Sequence, residues 1–197
     1  MHSFWRFFSD FGDTAVTVPL AILVIGFLVI AGQPRLAVRW ALVIIGCAGA
    51  LGALKLASAV CSYPLAGSGL RSPSGHTAMS IAVYGGMVAV VAPTLDRAAR
   101  TALIAAITIL TIGIALSRTI IGYHTPLEVA SGVVVGVAAL LAIIAVAVYY
   151  RTEHLPIRWL IAVALVLLVL FYRTHWPAEQ AIHRLASWLD ILRPWCS

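Results

Sequence analysis

Along the chain the apolar positions gather into six runs, at residues 14–31, 40–60, 75–95, 101–117, 127–150 and 157–172, with charged, proline and glycine positions between them. Each run is near the about 20 residues that a helix needs to cross a hydrocarbon core about 30 Å thick. Valine and isoleucine are common in the runs and favour strands in water. In lipid the backbone must satisfy its own hydrogen bonds, so helices are expected. A polar break at 61–74, holding Pro64, Gly67, Gly69, Arg71 and Pro73, divides the second run from the third. The expected fold class is all-α: a polytopic membrane protein with six transmembrane helices in one bundle over residues 1–176. The tail, 177–197, places Ile182, Leu185, Ala186, Leu189 and Leu192 at helical spacing. It reads as an amphipathic C-terminal helix, either on the membrane surface with Trp188 and Trp195 at headgroup level or packed on the end of the bundle. No small-residue cleavage site follows the first run, which is read as a retained helix.

Composition narrows the class further. The 197 residues are 62% hydrophobic and 10% charged, with a mean hydropathy of +1.02, against about 45–50% and about 25% in soluble domains. The net charge of +6 is too sparse and too interrupted by apolar runs to form a nucleic-acid-binding stripe, so no nucleic-acid partner is expected. Cys47, Cys61 and Cys196 lack metal-site spacing, and no metal is expected. Cys61 and Cys196 pair only if both lie on an oxidising side; Cys47 reads as a small apolar helix residue.

The basic residues set an orientation. Arg35, Arg39, Arg97, Arg100, Arg151 and Arg158, opposed by Asp96 and Glu153, fall in the loops of one side, which is therefore expected to be cytoplasmic. At the termini Arg6, Arg173, Arg184 and Arg193 are balanced by Asp10, Asp13, Glu179 and Asp190. Both termini and the loops after the second and fourth helices then face the periplasm or exterior of a bacterial inner (cytoplasmic) membrane.

Ionisable groups at membrane depth are costly, so each needs a reason to be there. Lys55 ends the second helix, Arg71 precedes Pro73-Ser74-Gly75-His76 at the start of the third, Ser117-Arg118 ends the fourth, and His124 and Glu128 open the fifth. The alternating topology brings all of these to one membrane face. Permanent cations beside the N–H groups of a helix start suit a phosphate. Gly75 admits close backbone approach, and Ser74 either donates to the anion or caps the helix. Two histidines supply a nucleophile and a proton donor. Glu128, four residues after His124 on the same helical face, can hold the ring N–H.

These residues resemble the type-2 phosphatidic acid phosphatase family, membrane lipid phosphatases of a superfamily shared with the vanadium-dependent haloperoxidases. The family pattern is Lys-x6-Arg-Pro, Pro-Ser-Gly-His and Ser-Arg-x5-His-x3-Asp. The second block matches fully; the third has Glu128 in place of Asp; the first keeps Lys55 but has Ser62 and Tyr63 in place of Arg-Pro. The resemblance implies that His124 is the nucleophile, forming a phosphohistidine. Glu128 would orient it, and His76 would protonate the leaving group and then activate water. Lys55, Ser74, Gly75 and Arg118 would hold the phosphate, with no metal or other cofactor. Arg71 is a candidate replacement for the missing arginine, on no family match. The implied function is hydrolysis of a phosphate monoester or diphosphate of a lipid: polyprenyl diphosphate such as undecaprenyl diphosphate, phosphatidylglycerol phosphate, phosphatidic acid or a lipid A phosphate. The alternatives are a lipid phosphotransferase using the same phosphohistidine and a non-catalytic lipid-phosphate binding or transport protein.

Other residues are read more simply. His2, His154, His175 and His183 are taken as solvent-facing and partnerless. Tyr63, Tyr84 and Tyr123 are taken as packing or interface aromatics, with Tyr123 also placed to line a headgroup pocket. Gly46, Gly49, Gly52, Gly85, Gly86, Gly132 and Gly136 are read as close-packing positions. Gly132 and Gly136 fit a small-xxx-small pattern, which leaves open packing inside the bundle or between the subunits of a homodimer.

Overall fold

The computed structural model describes residues 2–61, 72–150, 157–176 and 178–188. Among these the regular structure is helical throughout: α1 (His2–Phe11), α2 (Thr14–Ile30), α3 (Pro34–Cys61), α4 (Gly75–Val91), a 3₁₀ turn (Ala92–Thr94), α5 (Arg97–Ile120), α6 (Pro126–Tyr150), α7 (Ile157–Phe171) and α8 (Ala178–Trp188). Five stretches are long and apolar enough to cross a membrane: Ser3–Ile30, Pro34–Val60, Gly75–Thr94, Arg97–Ile120 and Pro126–Tyr150. They overlap the first five apolar runs, although the first begins at Ser3 and the second at Pro34, well ahead of the runs. The sixth run forms α7, whose 15 residues reach only about 22 Å at a rise of about 1.5 Å per residue.

Caps explain where the helices begin. Asp13 is extended and its Oδ1 accepts the Ala15 N–H at 2.8 Å, starting α2 at the expected place. Asp96 does the same for α5 through the Ala99 N–H at 2.9 Å, so Arg97 and Arg100 lie inside the first turn rather than before it. The third helix begins at Pro34, well before the apolar run at Trp40, because proline fits a first helical position.

The sequence reading did not anticipate α1, although Phe4, Phe8 and Phe11 recur at helical spacing. Phe8 is seated against Gly113 of α5, its ring filling the space that a Cβ there would need. The rings of Phe7 and Phe11 meet Tyr172, beyond the end of α7, at 5.8 and 5.1 Å. These contacts hold α1 against α5 and the residue that follows α7.

Helix α4 is at the centre, with its closest packing against α6. A Cβ at Gly132 would lie 2.6 Å from the Ser74 carbonyl oxygen, and one at Gly136 would lie 2.8 Å from that of Ala78. Both glycines therefore pack inside the chain. Gly85 meets Leu140, and Gly86 meets Ile143 and the fully buried Trp40. Gly46, Gly49 and Gly52 depart from the expected role: among the described residues nothing lies within 4 Å of the Cβ position at any of them.

The two ends of the bundle differ. At one, the Arg39 guanidinium lies 5.6 and 5.0 Å from the ring centroids of Tyr149 and Tyr150, joining the start of α3 to the end of α6. At the other, the ends of α3 and α5 meet the starts of α2, α4 and α6, and the polar residues collect there.

Candidate active site

Local hydrogen bonding builds the site. The carbonyl of Arg118 accepts the N–H groups of both Tyr123, at 3.0 Å, and His124, at 3.1 Å. The chain thus folds back over the end of α5 through Gly122, whose φ of +86° favours glycine. This is the physical content of five residues between Arg118 and His124: it is the length that returns a histidine to the helix end it has just left.

Helix α6 then opens on a reciprocal cap. Glu128 Oε2 accepts the Thr125 N–H at 3.0 Å, Thr125 Oγ1 accepts the Glu128 N–H at 3.3 Å, and Pro126 occupies the first helical position. The same Glu128 Oε2 lies 3.2 Å from His124 Nδ1, while Oε1 accepts the Ser72 N–H at 3.2 Å. The Ser74 N–H donates to the Glu128 carbonyl at 2.9 Å. One residue therefore ties the nucleophile candidate to the segment that starts α4. The His124 side chain is 8% exposed. Burial lowers its pKa from the ordinary value, opposed by the Glu128 bond and reinforced by the nearby charges of Arg118 and Lys55, which favours the neutral ring.

Ser74 takes the capping role of the two expected for it. Its Oγ accepts the Thr77 hydroxyl at 3.0 Å and the Thr77 N–H at 3.5 Å, and the residue is fully buried. Arg118 is 6% exposed; its Nη1 donates to Ser9 Oγ at 2.8 Å and its guanidinium lies 4.5 Å from the Tyr123 ring centroid. Lys55 arches over the first turn of α4, with Nζ 3.9 Å from the Cβ position of Gly75.

A cavity of about 870 Å³ opens here. Lys55, Gly75, His76, Arg118 and Tyr123 line it, as do Ser9, Asp10 and Asp13 from the N-terminal segment, with Val18, Ala48, Leu51, Gly52 and Met79 forming an apolar wall. Gln180 and Ile182 of α8 also face it, and α8 packs against α3. Four of the expected site residues thus share one cavity, together with Tyr123. His124, Glu128 and Ser74 stand outside its lining, His124 beside the Arg118 and Lys55 charges. Arg71, Ser62, Tyr63 and Cys196, and the side chain of Cys61, lie outside the described residues. Among the described residues no three side chains converge as metal ligands would.

Asp13 was counted in the sequence only as a terminal charge. It is 8% exposed, and its Oδ2 lies 3.7 Å from His76 Nε2 and 3.2 Å from His175 Nδ1. His175 is therefore not partnerless, although its side chain is 64% exposed. Ser9 was missed in the same way. A capping position before an apolar run was visible at Asp13, but no local rule links it to a histidine 63 residues later.

Compared with curated proteins and with solved structures, the chain finds no match. The family comparison does: residues 55–153, half of the chain, match the PAP2 superfamily, a span that begins on Lys55 and takes in Ser74, Gly75, His76, Arg118, His124 and Glu128. With its phosphate-suited cations and two histidines gathered at one end of an apolar helical bundle, this chain belongs to the PAP2 superfamily, which points to phosphatase activity on phosphate esters.

Proposed function

We propose that the protein is a metal-independent lipid phosphatase of a bacterial inner membrane, hydrolysing a phosphate monoester or diphosphate on a lipid headgroup. The observation that carries this reading is a cavity that joins Lys55, the Gly75 helix start, His76 and Arg118 to an apolar wall on α2, α3 and α4. The cations and amides suit the phosphate, and the apolar wall suits the lipid chain.

In the proposed reaction the proton of neutral His124 rests on Nδ1, donated to Glu128, and the Nε2 lone pair attacks phosphorus. A P–N bond forms as the P–O bond to the lipid breaks, and the leaving oxygen takes a proton from His76. Water then attacks phosphorus and gives a proton to His76, and the P–N electrons return to His124. For a diphosphate substrate the leaving group is the lipid monophosphate. Arg71 is proposed as a further phosphate ligand; Arg71→Ala then raises the Michaelis constant, and wild-type kinetics return it to the loop.

Helix α7 is the proposed sixth crossing, because beyond its end Trp176 N–H and His175 reach Asp13 at the site. The site and both termini face the exterior in this topology, as the arginine distribution requires. An external thiol label then reaches a cysteine introduced near Arg71 and not one near Arg97.

The deciding experiment is phosphate release by detergent-purified protein from undecaprenyl diphosphate, phosphatidylglycerol phosphate, phosphatidic acid and lipid A, without added metal and with inhibition by vanadate. Release from none of the four overturns the hydrolase. Phosphate moved onto an added acceptor lipid instead of water selects a transferase.

A further inference from the structure

The N-terminal segment lies outside the family match at 55–153, yet it supplies one wall of the cavity. The Gly12 N–H donates to the Ser9 carbonyl at 2.9 Å and the Asp13 N–H to that of Asp10 at 3.3 Å, turning the chain between α1 and α2. A Cβ at Gly12 would lie 3.2 Å from His76 Cβ and 3.4 Å from His76 Cδ2. The turn therefore lies directly against the imidazole, with Ile114 Cγ2, at 2.7 Å from the same Cβ position, closing its other side. From it Asp13 Oδ2 reaches His76 Nε2 at 3.7 Å, an ion-pair distance, while Asp13 Oδ1 stays occupied with the Ala15 N–H. The cap fixes where the second carboxylate oxygen points.

We propose that Asp13 is the positioning residue for His76, giving the site a second histidine–carboxylate pair beside His124–Glu128. The inference rests on the phosphatase reading, in which His76 gives a proton to the leaving oxygen and receives one from water. A carboxylate at this distance favours the imidazolium over the neutral ring and restrains its rotation. His76 lies in an otherwise mixed field. Asp10 and Arg6 of α1, Lys55 of α3, Arg118 of α5 and His175 beyond α7 line the same cavity, and His175 shares Asp13 Oδ2. Asp13 Oδ2 lies within ion-pair distance of both histidines.

Asp13→Asn is the informative variant. Asparagine caps a helix as well as aspartate does, so α2 keeps its start and only the charge is lost. Two phosphate esters separate positioning from general damage: dioctanoyl phosphatidic acid, whose alkoxide leaving group needs a proton, and p-nitrophenyl phosphate, whose nitrophenolate departs without one. General acid–base catalysis contributes ~10²–10⁴-fold, and a group supporting it carries part of that. Asp13→Asn is expected to lower the single-turnover rate of phosphohistidine formation from phosphatidic acid by ~10–100-fold, with the burst of nitrophenolate from p-nitrophenyl phosphate nearly preserved; the burst does not report the later hydrolysis, in which His76 serves both esters. In a His76→Ala background the same change adds no further loss, because the two act as one unit. Equal loss of the first step on both esters, additive loss in the double variant, or no loss at all overturns the proposal. A wild type that turns over neither ester leaves the phosphatase reading to the four-lipid panel, and the pairing is then read from ¹⁵N-histidine-labelled protein. The ring resonances that vanish in His76→Ala are expected to shift in Asp13→Asn, and unshifted resonances overturn the pairing.

Discussion

Glu128 Oε2 lies 3.2 Å from His124 Nδ1 and 3.0 Å from the Thr125 amide nitrogen, so one carboxylate oxygen holds the catalytic candidate and caps the helix that carries it. The other oxygen reaches the Ser72 amide across the chain. A side chain from the third position of a helix must turn back past the first turn to do this, and glutamate has the length. The family's aspartate is one methylene shorter. Glu128→Asp is therefore expected to keep the charge but lose part of this set, lowering kcat by roughly 10-fold or more. Glu128→Gln keeps the length and loses the charge. Equal activity of all three forms, measured as phosphate release, removes the orienting role.

His124→Ala is expected to abolish turnover and leave the helical circular-dichroism spectrum unchanged. Retention of more than a small fraction of activity removes it as the nucleophile. Acid quenching during turnover of ³²P-labelled substrate is expected to leave label on wild-type protein and none on the variant.

The pH profile follows from the environment of His124. In the proposed reaction the attacking form is the neutral ring, and burial together with Arg118 and Lys55 lowers the pKa, against the Glu128 bond. Activity should accordingly fall only as the pH drops below the ordinary histidine range. Lys55→Met removes one of the cations that oppose protonation, so the acid limb of kcat/KM moves to higher pH. A limb that stays in place, or moves the other way, shows that Lys55 does not act on this ring.

Arg118 is held by Ser9 at 2.8 Å. A hydrogen bond to a charged group contributes about 1.5–3 kcal/mol, and Ser9→Ala is expected to raise the Michaelis constant several-fold with a smaller effect on kcat. Arg118→Lys should not restore binding, because an ammonium lacks the planar fork that meets a phosphate with two parallel bonds.

Gly132 touches the Ser74 backbone, which cannot yield as a flexible side chain can. Gly132→Ala must push α6 away from the start of α4, an overpacking cost of about 1–3 kcal/mol. A lower unfolding temperature in detergent and reduced activity are expected together. Gly49→Ala, in open space on α3, is the control and should change neither.

The helices and the motif residues were legible in the sequence to different degrees. Apolar runs located α2 to α7 because lipid demands long apolar segments, and the ends came within a few residues wherever a cap such as Asp13 or Asp96 stood beside the run. The start of α3 was set late, because Arg35 and Arg39 look like loop residues until Tyr149 and Tyr150 are seen to receive Arg39. The α3 glycines were misread because spacing alone does not say whether a neighbour is present.

Periodicity and motif spacing by themselves determined that this is a helical membrane protein with Lys55, His76, Arg118, His124 and Glu128 at one face. Those features are local or nearly so: a helix is set by its own residues, and an alternating topology sends helix ends to known sides. Tertiary structure alone decided which groups share the cavity, that Ser74 caps rather than lines it, and that Ser9 and Asp13 reach Arg118 and His76. Contacts across 63 and 109 residues of chain depend on how α1 docks on α5, through Phe8 filling the space above Gly113. That fit is a matter of volume between distant segments, which no pattern along one segment encodes.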